Sequence, residues 1–267
     1  MQKEIISIAT TNPTSLHPTD KMSDAVKLMS KKGFRRIPIV HDMFLVGILT
    51  ATDVLRALDT GKTKVLEAPI ADFMTEEPIA VYRNADLTAA IDLMFQHNLG
   101  SLPIVSEGTD TLAGIVTERD LVKHFSEVAD ADLSEFIEMD PVTLDFDKTS
   151  IKQLIAAMVK SEIRRAILVD KKKNVKGMVT STDVLRYVSN EIIRRGELTD
   201  EVFSADAKDI AVTDVKTVNI NSSMAEVAKM LSEKSMGGVP VTDDDGKLVG
   251  IFTERDLLRV VALFRLM

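Results

Sequence analysis

The stretch Gly47-Ile48-Leu49-Thr50-Ala51-Thr52-Asp53 closes an apolar run and leads into Val54, Leu55 and Leu58. The apolar run reads as the end of a strand, and the helical spacing after Thr50 reads as a helix closed near Gly61. Thr50 and Asp53 stand three residues apart at that junction, where a hydroxyl and a carboxylate can cap the first helical turn. Upstream, Arg36-Ile37-Pro38-Ile39-Val40 supplies a first strand, joined to Leu45–Leu49 through His41-Asp42-Met43-Phe44 as a hairpin. Further upstream Met22, Val26 and Met29 recur at helical spacing between Asp20 and Lys32, and Gly33 supplies the stop.

The same string returns as Gly114-Ile115-Val116-Thr117-Glu118-Arg119-Asp120, Gly177-Met178-Val179-Thr180-Ser181-Thr182-Asp183 and Gly250-Ile251-Phe252-Thr253-Glu254-Arg255-Asp256. The glycines lie 67, 63 and 73 residues apart, too far for a solenoid turn and suited to a small supersecondary unit. Each copy has its apolar run at matched distance: Ser101-Leu102-Pro103-Ile104-Val105, Arg165-Ala166-Ile167-Leu168-Val169 and Gly238-Val239-Pro240-Val241. First helices are predicted over Leu87–Phe95, Ile151–Val159 and Met224–Leu231, and Val184–Arg195, ending at Gly196, is an unusually long second helix. A unit this small leaves too much apolar surface wet, so units should associate.

The copies are of two kinds. Over the 12 residues from the glycine, repeats 1 and 3 share 7 identities, as do repeats 2 and 4, against 4 for repeats 1 and 2 and 6 for repeats 3 and 4. Repeats 1 and 3 carry Arg35-Arg36 and Arg164-Arg165 before the apolar run, where repeats 2 and 4 carry Gly100-Ser101 and Gly237-Gly238. Duplication of an ancestral pair is the inferred origin. It gives two modules, 1–127 (repeats about 8–62 and 69–127) and 128–267 (repeats about 132–196 and 207–267). The expected fold is mixed α+β: four small sheets with two helices each, paired into two pseudo-twofold modules that form a disc-like body.

Composition narrows the functional classes. The net charge of -8, from 33 Lys and Arg against 41 Asp and Glu, argues against polymeric nucleic acid or an anionic membrane as partner. The absence of Cys excludes disulfides, thiolate metal sites and cysteine nucleophiles. His17, His41, His97 and His124 show no shared metal-ligand spacing, so no metal site is expected. Neither a signal-peptide pattern nor an apolar run near the roughly 20 residues of a membrane span is present, which points to the cytoplasm. No nucleophile stands with a paired base, and no Gly-rich phosphate loop occurs, so a non-enzymatic protein is expected.

The four Gly-x-x-Thr-x-x-Asp units after matched hairpins resemble CBS domains, and a chain built only of them is similar to the regulatory gamma subunit of AMP-activated protein kinase. That resemblance implies adenosyl ligands held in clefts between paired repeats, and an unknown protein target. Chemistry at the motif is compatible. Thr50, Thr117, Thr180 and Thr253 with Asp53, Asp120, Asp183 and Asp256 can offer hydroxyls and carboxylates to a ribose and its phosphate. Arg35, Arg36, Arg119, Arg164, Arg165 and Arg255 are bidentate donors for phosphate, although alternation along a strand turns only one of each Arg-Arg pair fully inward. Ile37, Pro38, Leu102, Ala166 and Val239 suggest an apolar adenine slot, with main-chain groups near Pro13, Pro78 and Pro141 reading the base edge. Repeat 3 departs from the others by having Ile167 in place of proline. AMP, ADP or ATP is the expected ligand, with Mg only as carried by ATP. S-adenosylmethionine and a ligand-free or RNA-associated scaffold are the alternatives, and the capping box alone is the structural reading of each Thr-x-x-Asp. The protein is expected as a monomer with an internal disc, or as a homodimer.

Overall fold

The computed structural model describes residues 4–61, 63–124, 131–233 and 236–265. Repeat 1 opens with β1 (Thr10–Thr11) and continues through α1 (Met22–Lys32), β2 (Arg36–His41), β3 (Phe44–Thr50) and α2 (Ala51–Asp59). Repeat 2 comprises β4 (Thr75–Glu76), β5 (Val81–Tyr82), α3 (Leu87–Gln96), β6 (Ser101–Val105), β7 (Leu112–Thr117) and α4 (Glu118–His124). Repeat 3 runs through β8 (Glu138–Met139), β9 (Thr143–Asp145), α5 (Ile151–Lys160), β10 (Arg165–Val169), β11 (Val175–Thr180), α6 (Ser181–Arg195) and the short α7 (Asp200–Ser204). Repeat 4 has β12 (Val218–Asn219), α8 (Met224–Glu233), β13 (Gly238–Thr242), β14 (Leu248–Thr253) and α9 (Glu254–Arg265).

Local chemistry sets these limits. Gly33 and Gly196 take left-handed backbone at φ 70 and φ 81 and stop α1 and α6, as their positions predicted. Asp42 and Met43 both have positive φ, which gives the tight turn between β2 and β3 the twist that antiparallel strands require. The predicted second-helix starts hold, with Thr50 and Thr180 as N-caps.

The repeats exchange their leading segments. β1 pairs with β7, so the residues that open repeat 1 complete the sheet of repeat 2, and β4 returns the exchange by pairing with β3. In the second half of the chain, β8 pairs with β14, while Met178 and Val212 exchange main-chain hydrogen bonds of 3.0 Å in repeat 3. This explains the glycine of the repeated string. A Cβ on Gly250 would lie 2.9 Å from the carbonyl oxygen of Glu138 in the incoming strand, and one on Gly114 would lie 3.0 Å from that of Thr10.

Packing divides the chain into two compact units. One unit contains Met1–Pro13, Ile79–Pro141 and Lys216–Met267; the other contains Thr14–Pro78 and Val142–Val215. The first therefore holds the helices and hairpins of repeats 2 and 4, the second those of repeats 1 and 3. Like repeats share a core. In the second unit α1 packs on α6 and α2 on α5, with Met22, Val26, Met29, Leu154, Met158 and Val188 among the residues enclosed. In the first, α4 packs on α9 around Leu121, Val122, Leu257 and Val261. The division into two kinds of repeat, inferred from identities, thus corresponds to which repeats bury their helices together. The boundary expected at 127/128 lies outside the described residues, and each compact unit draws on both sides of it.

Candidate functional site

At each strand-to-helix junction the threonine and aspartate form one local arrangement. The Asp53 Oδ2 oxygen accepts from Thr50 N at 2.9 Å and from Thr50 Oγ1 at 2.6 Å, while Asp53 N donates to Thr50 Oγ1 at 3.3 Å. Thr180 and Asp183 repeat this at 2.9, 2.6 and 3.3 Å, and Thr117 with Asp120 at 2.9, 2.7 and 3.4 Å. In repeat 4 Thr253 donates to Asp256 Oδ2 through its N at 2.9 Å and its Oγ1 at 2.7 Å. The capping reading is therefore realised in full in repeats 1, 2 and 3, while repeat 4 keeps the two bonds to Asp256 Oδ2. Both acceptor positions of Oδ2 are filled, so Oδ1 is the oxygen available for more.

Oδ1 has a partner that the sequence reading passed over. Arg56 and Arg186 donate to Oδ1 of Asp53 and Asp183 at 3.0 Å from one helical turn onward, and Arg259 reaches within 3.7 Å of Asp256 Oδ1. These arginines are about half exposed, whereas the Asp53 and Asp183 side chains are only 12% and 14% exposed. The pairing was legible as an i,i+3 charge pair. Burial pushes the Asp256 carboxyl up, against the Thr253 hydrogen bonds that pull it down.

Strand register decides which residue faces the motif. Arg36 is the direct cross-strand partner of Thr50 and Arg165 of Thr180; in the other two repeats Ser101 faces Thr117 and Gly238 faces Thr253. The preceding residue is fixed as well: the carbonyls of Arg35 and Arg164 accept from the first helical N–H groups, Ala51 N at 2.9 Å and Ser181 N at 3.0 Å. All four of these arginines are half-buried and engaged in contacts. Beside Thr180, the Ser181 hydroxyl is buried without a hydrogen-bond partner.

Arg119 and Arg255 occupy different surroundings. Arg119 Nε donates to Glu254 Oε1 at 2.5 Å, and Arg255 Nε lies 3.2 Å from Glu118 Oε1. Arg255 also donates to Asn98 Oδ1 and to the carbonyls of Met94 and Leu99 at 3.3 and 3.1 Å. Glu118 and Glu254 are buried, 2% and 3% exposed, so repeats 2 and 4 are joined by a reciprocal pair of ion pairs at the starts of α4 and α9. The sequence reading expected phosphate contacts for these two arginines; the structure places them on carboxylates of the other repeat.

The residues expected to form an adenine slot are mostly enclosed. Ile37, Leu102, Ala166 and Val239 are fully buried within the two cores, because these positions face the helices. Pro38 is buried too, and Ile167, which replaces proline in repeat 3, is equally enclosed. Pro13, Pro78 and Pro141 remain half-exposed at the points where the chain passes from one compact unit to the other, each following a residue of positive φ: Asn12, Glu77 and Asp140. No group of three or more His, Asp or Glu suited to a metal ion occurs among the described residues. Among those residues no helix is long and apolar enough to cross a membrane.

Comparison with known proteins places this architecture. The CBS domain profile matches residues 3–60, 70–127, 133–190 and 207–263. Uncharacterized protein MJ1225 of Methanocaldococcus jannaschii is 25% identical over 93% of this chain and 95% of its own. Its crystal structure, described as that of a candidate archaeal homologue of γ-AMPK, covers 97% of this chain and 100% of that one with a TM-score of 0.87 at 23% identity. An uncharacterized 33.4 kDa protein in the ribosomal RNA operon of Thermofilum pendens is 28% identical over 92% of this chain and 87% of its own. With four matched segments spanning most of its length, the chain belongs to the CBS-domain family.

Proposed function

We propose that this protein is a cytoplasmic, non-enzymatic sensor that binds AMP, ADP or ATP reversibly at its Thr-x-x-Asp motifs and thereby shifts the activity of a protein target. One observation carries the reading: Arg36 and Arg165 stand in direct register with the motif threonines, so cation, hydroxyl and carboxylate converge at one strand-to-helix junction. The aspartate takes ribose through Oδ1, and Arg35, Arg36, Arg164 and Arg165 take phosphate. Arg119 and Arg255 are reserved for their ion pairs. Family membership and the full-length likeness to MJ1225 support the assignment. The exchange of leading segments, which links repeat 1 to 2 and 3 to 4, supports 1–127 and 128–267 as the ancestral modules.

Several charge-assisted bonds in a preformed site imply micromolar affinity, about -8 kcal/mol. The test is calorimetry with AMP, ATP and adenosine on the wild type and on Arg36→Ala and Arg165→Ala. Each variant is expected to lose roughly 1.5 to 3 kcal/mol for the phosphorylated ligands and much less for adenosine. Equal losses for adenosine and ATP would assign the arginines to structure. No heat with any of the three at millimolar concentration would sink the nucleotide reading.

A further inference from the structure

The four motifs share a backbone but not a charge. In repeats 1 and 3 the strand start carries two arginines, Arg35-Arg36 or Arg164-Arg165, and the residues after the threonine, Ala51-Thr52 or Ser181-Thr182, are uncharged. In repeats 2 and 4 the strand start is Gly100-Ser101 or Gly237-Gly238, and Glu118-Arg119 or Glu254-Arg255 follow the threonine. Two arginines against one aspartate leave each motif of repeats 1 and 3 formally cationic. With the base one turn on counted as well, Lys123 or Arg259, each motif of repeats 2 and 4 is formally neutral, while the same count with Arg56 or Arg186 leaves each motif of repeats 1 and 3 at a formal +2.

Burial sharpens this contrast. Glu118 and Glu254 are enclosed, and the guanidinium groups beside them are held by ion pairs across the repeats. A phosphate brought to Asp120 or Asp256 would meet carboxylates in a medium that screens them poorly and would find no strand arginine to bind it. Burial holds the Asp256 carboxyl above the usual carboxylate range, with Arg259 opposing the displacement and Glu118 adding a smaller push.

We infer that the four motifs serve two ligand classes: repeats 1 and 3 hold phosphorylated adenosine, whereas repeats 2 and 4 hold an adenosyl ligand without phosphate, neutral or cationic at its 5′ substituent. The inference rests on the reading of the motif aspartate as a ribose ligand. One chain would then respond to two metabolite pools, each read by one like-with-like pair of repeats.

Calorimetry on the intact chain tests the division, with AMP and S-adenosylmethionine as probes. The Asp53→Ala/Asp183→Ala variant should bind AMP at least roughly tenfold more weakly and keep S-adenosylmethionine within about twofold. Asp120→Ala/Asp256→Ala should do the reverse. These changes also remove helix caps, so a second variant, Arg36→Ser/Arg165→Gly, gives repeats 1 and 3 the strand residues of repeats 2 and 4. It too should lose AMP by roughly tenfold and spare S-adenosylmethionine. Loss of AMP binding shared equally by both aspartate variants would overturn the division and leave the nucleotide reading standing. Binding of AMP alone, with no response to S-adenosylmethionine, would do the same. Absence of heat with both AMP and S-adenosylmethionine would overturn both readings.

Discussion

Replacing Arg255 with alanine should cost about 3 kcal/mol of stability, because it strands a buried carboxylate. Glu118 is 2% exposed at the first position of α4, and Arg255 Nε stands 3.2 Å away. The same guanidinium serves Asn98 and the carbonyls of Met94 and Leu99. Breaking one side of a buried ion pair costs about 3 to 5 kcal/mol, and the lower end applies because the Arg255 side chain is 22% exposed and water can enter where it was. Arg259→Ala is the internal control. Its guanidinium is 53% exposed and lies 3.7 Å from Asp256, so screening leaves it about 0.5 kcal/mol at most. Adding Glu118→Gln to Arg255→Ala should recover part of the loss by removing the stranded charge. Urea unfolding of the four proteins, followed by circular dichroism, measures the set. A loss below about 1 kcal/mol for Arg255→Ala, or one matching Arg259→Ala, would refute the assignment of this cross as a structural lock between repeats 2 and 4.

Other outcomes follow from the same geometry. Gly250→Ala should destabilise by about 1 to 3 kcal/mol in thermal or urea unfolding, since the new Cβ would press on the Glu138 carbonyl and on Ile137. The hydrogen bond from Arg194, aided by Arg195, holds Glu191 below the usual carboxylate range. Its stabilisation is therefore complete above the unfolded value and lost as pH falls through the folded one, and Glu191→Gln should show a smaller acid loss of stability. Asp256, raised by burial, has the opposite sign: its contribution is complete below the unfolded value and lost as pH rises through the folded one, a fall that Asp256→Asn should remove. Fragments 1–127 and 128–267 should fold and self-associate, as read by sedimentation, because each half bares helix faces that like repeats cover in the intact chain. Monomeric, unfolded halves would show that the exchanged segments alone cannot sustain a pair.

The repeat, the order of elements within it and the threonine-aspartate junction were all determined by sequence alone. Each depends on neighbours within a few residues: helical spacing around Met22 and Val26, a glycine stop at Gly33, and a hydroxyl three residues before a carboxylate at Thr50. The existence of two kinds of repeat was equally legible, from Arg35-Arg36 against Gly100-Ser101. Its meaning was not. Arg119 and Arg255 stand where a phosphate ligand was expected, yet each answers a glutamate more than a hundred residues away, and no local pattern announces that partner. Ile37, Leu102, Ala166 and Val239 read as apolar either way; the side of the sheet that the helices cover decided that they are core. The glycine of the repeated string was visible four times, but its reason, a strand lent by another repeat passing within van der Waals contact, exists only once the chain has crossed over itself. Short-range sterics and hydrogen bonding are written in consecutive residues, while the pairing of distant charges and the exchange of strands are settled by which surfaces bury together.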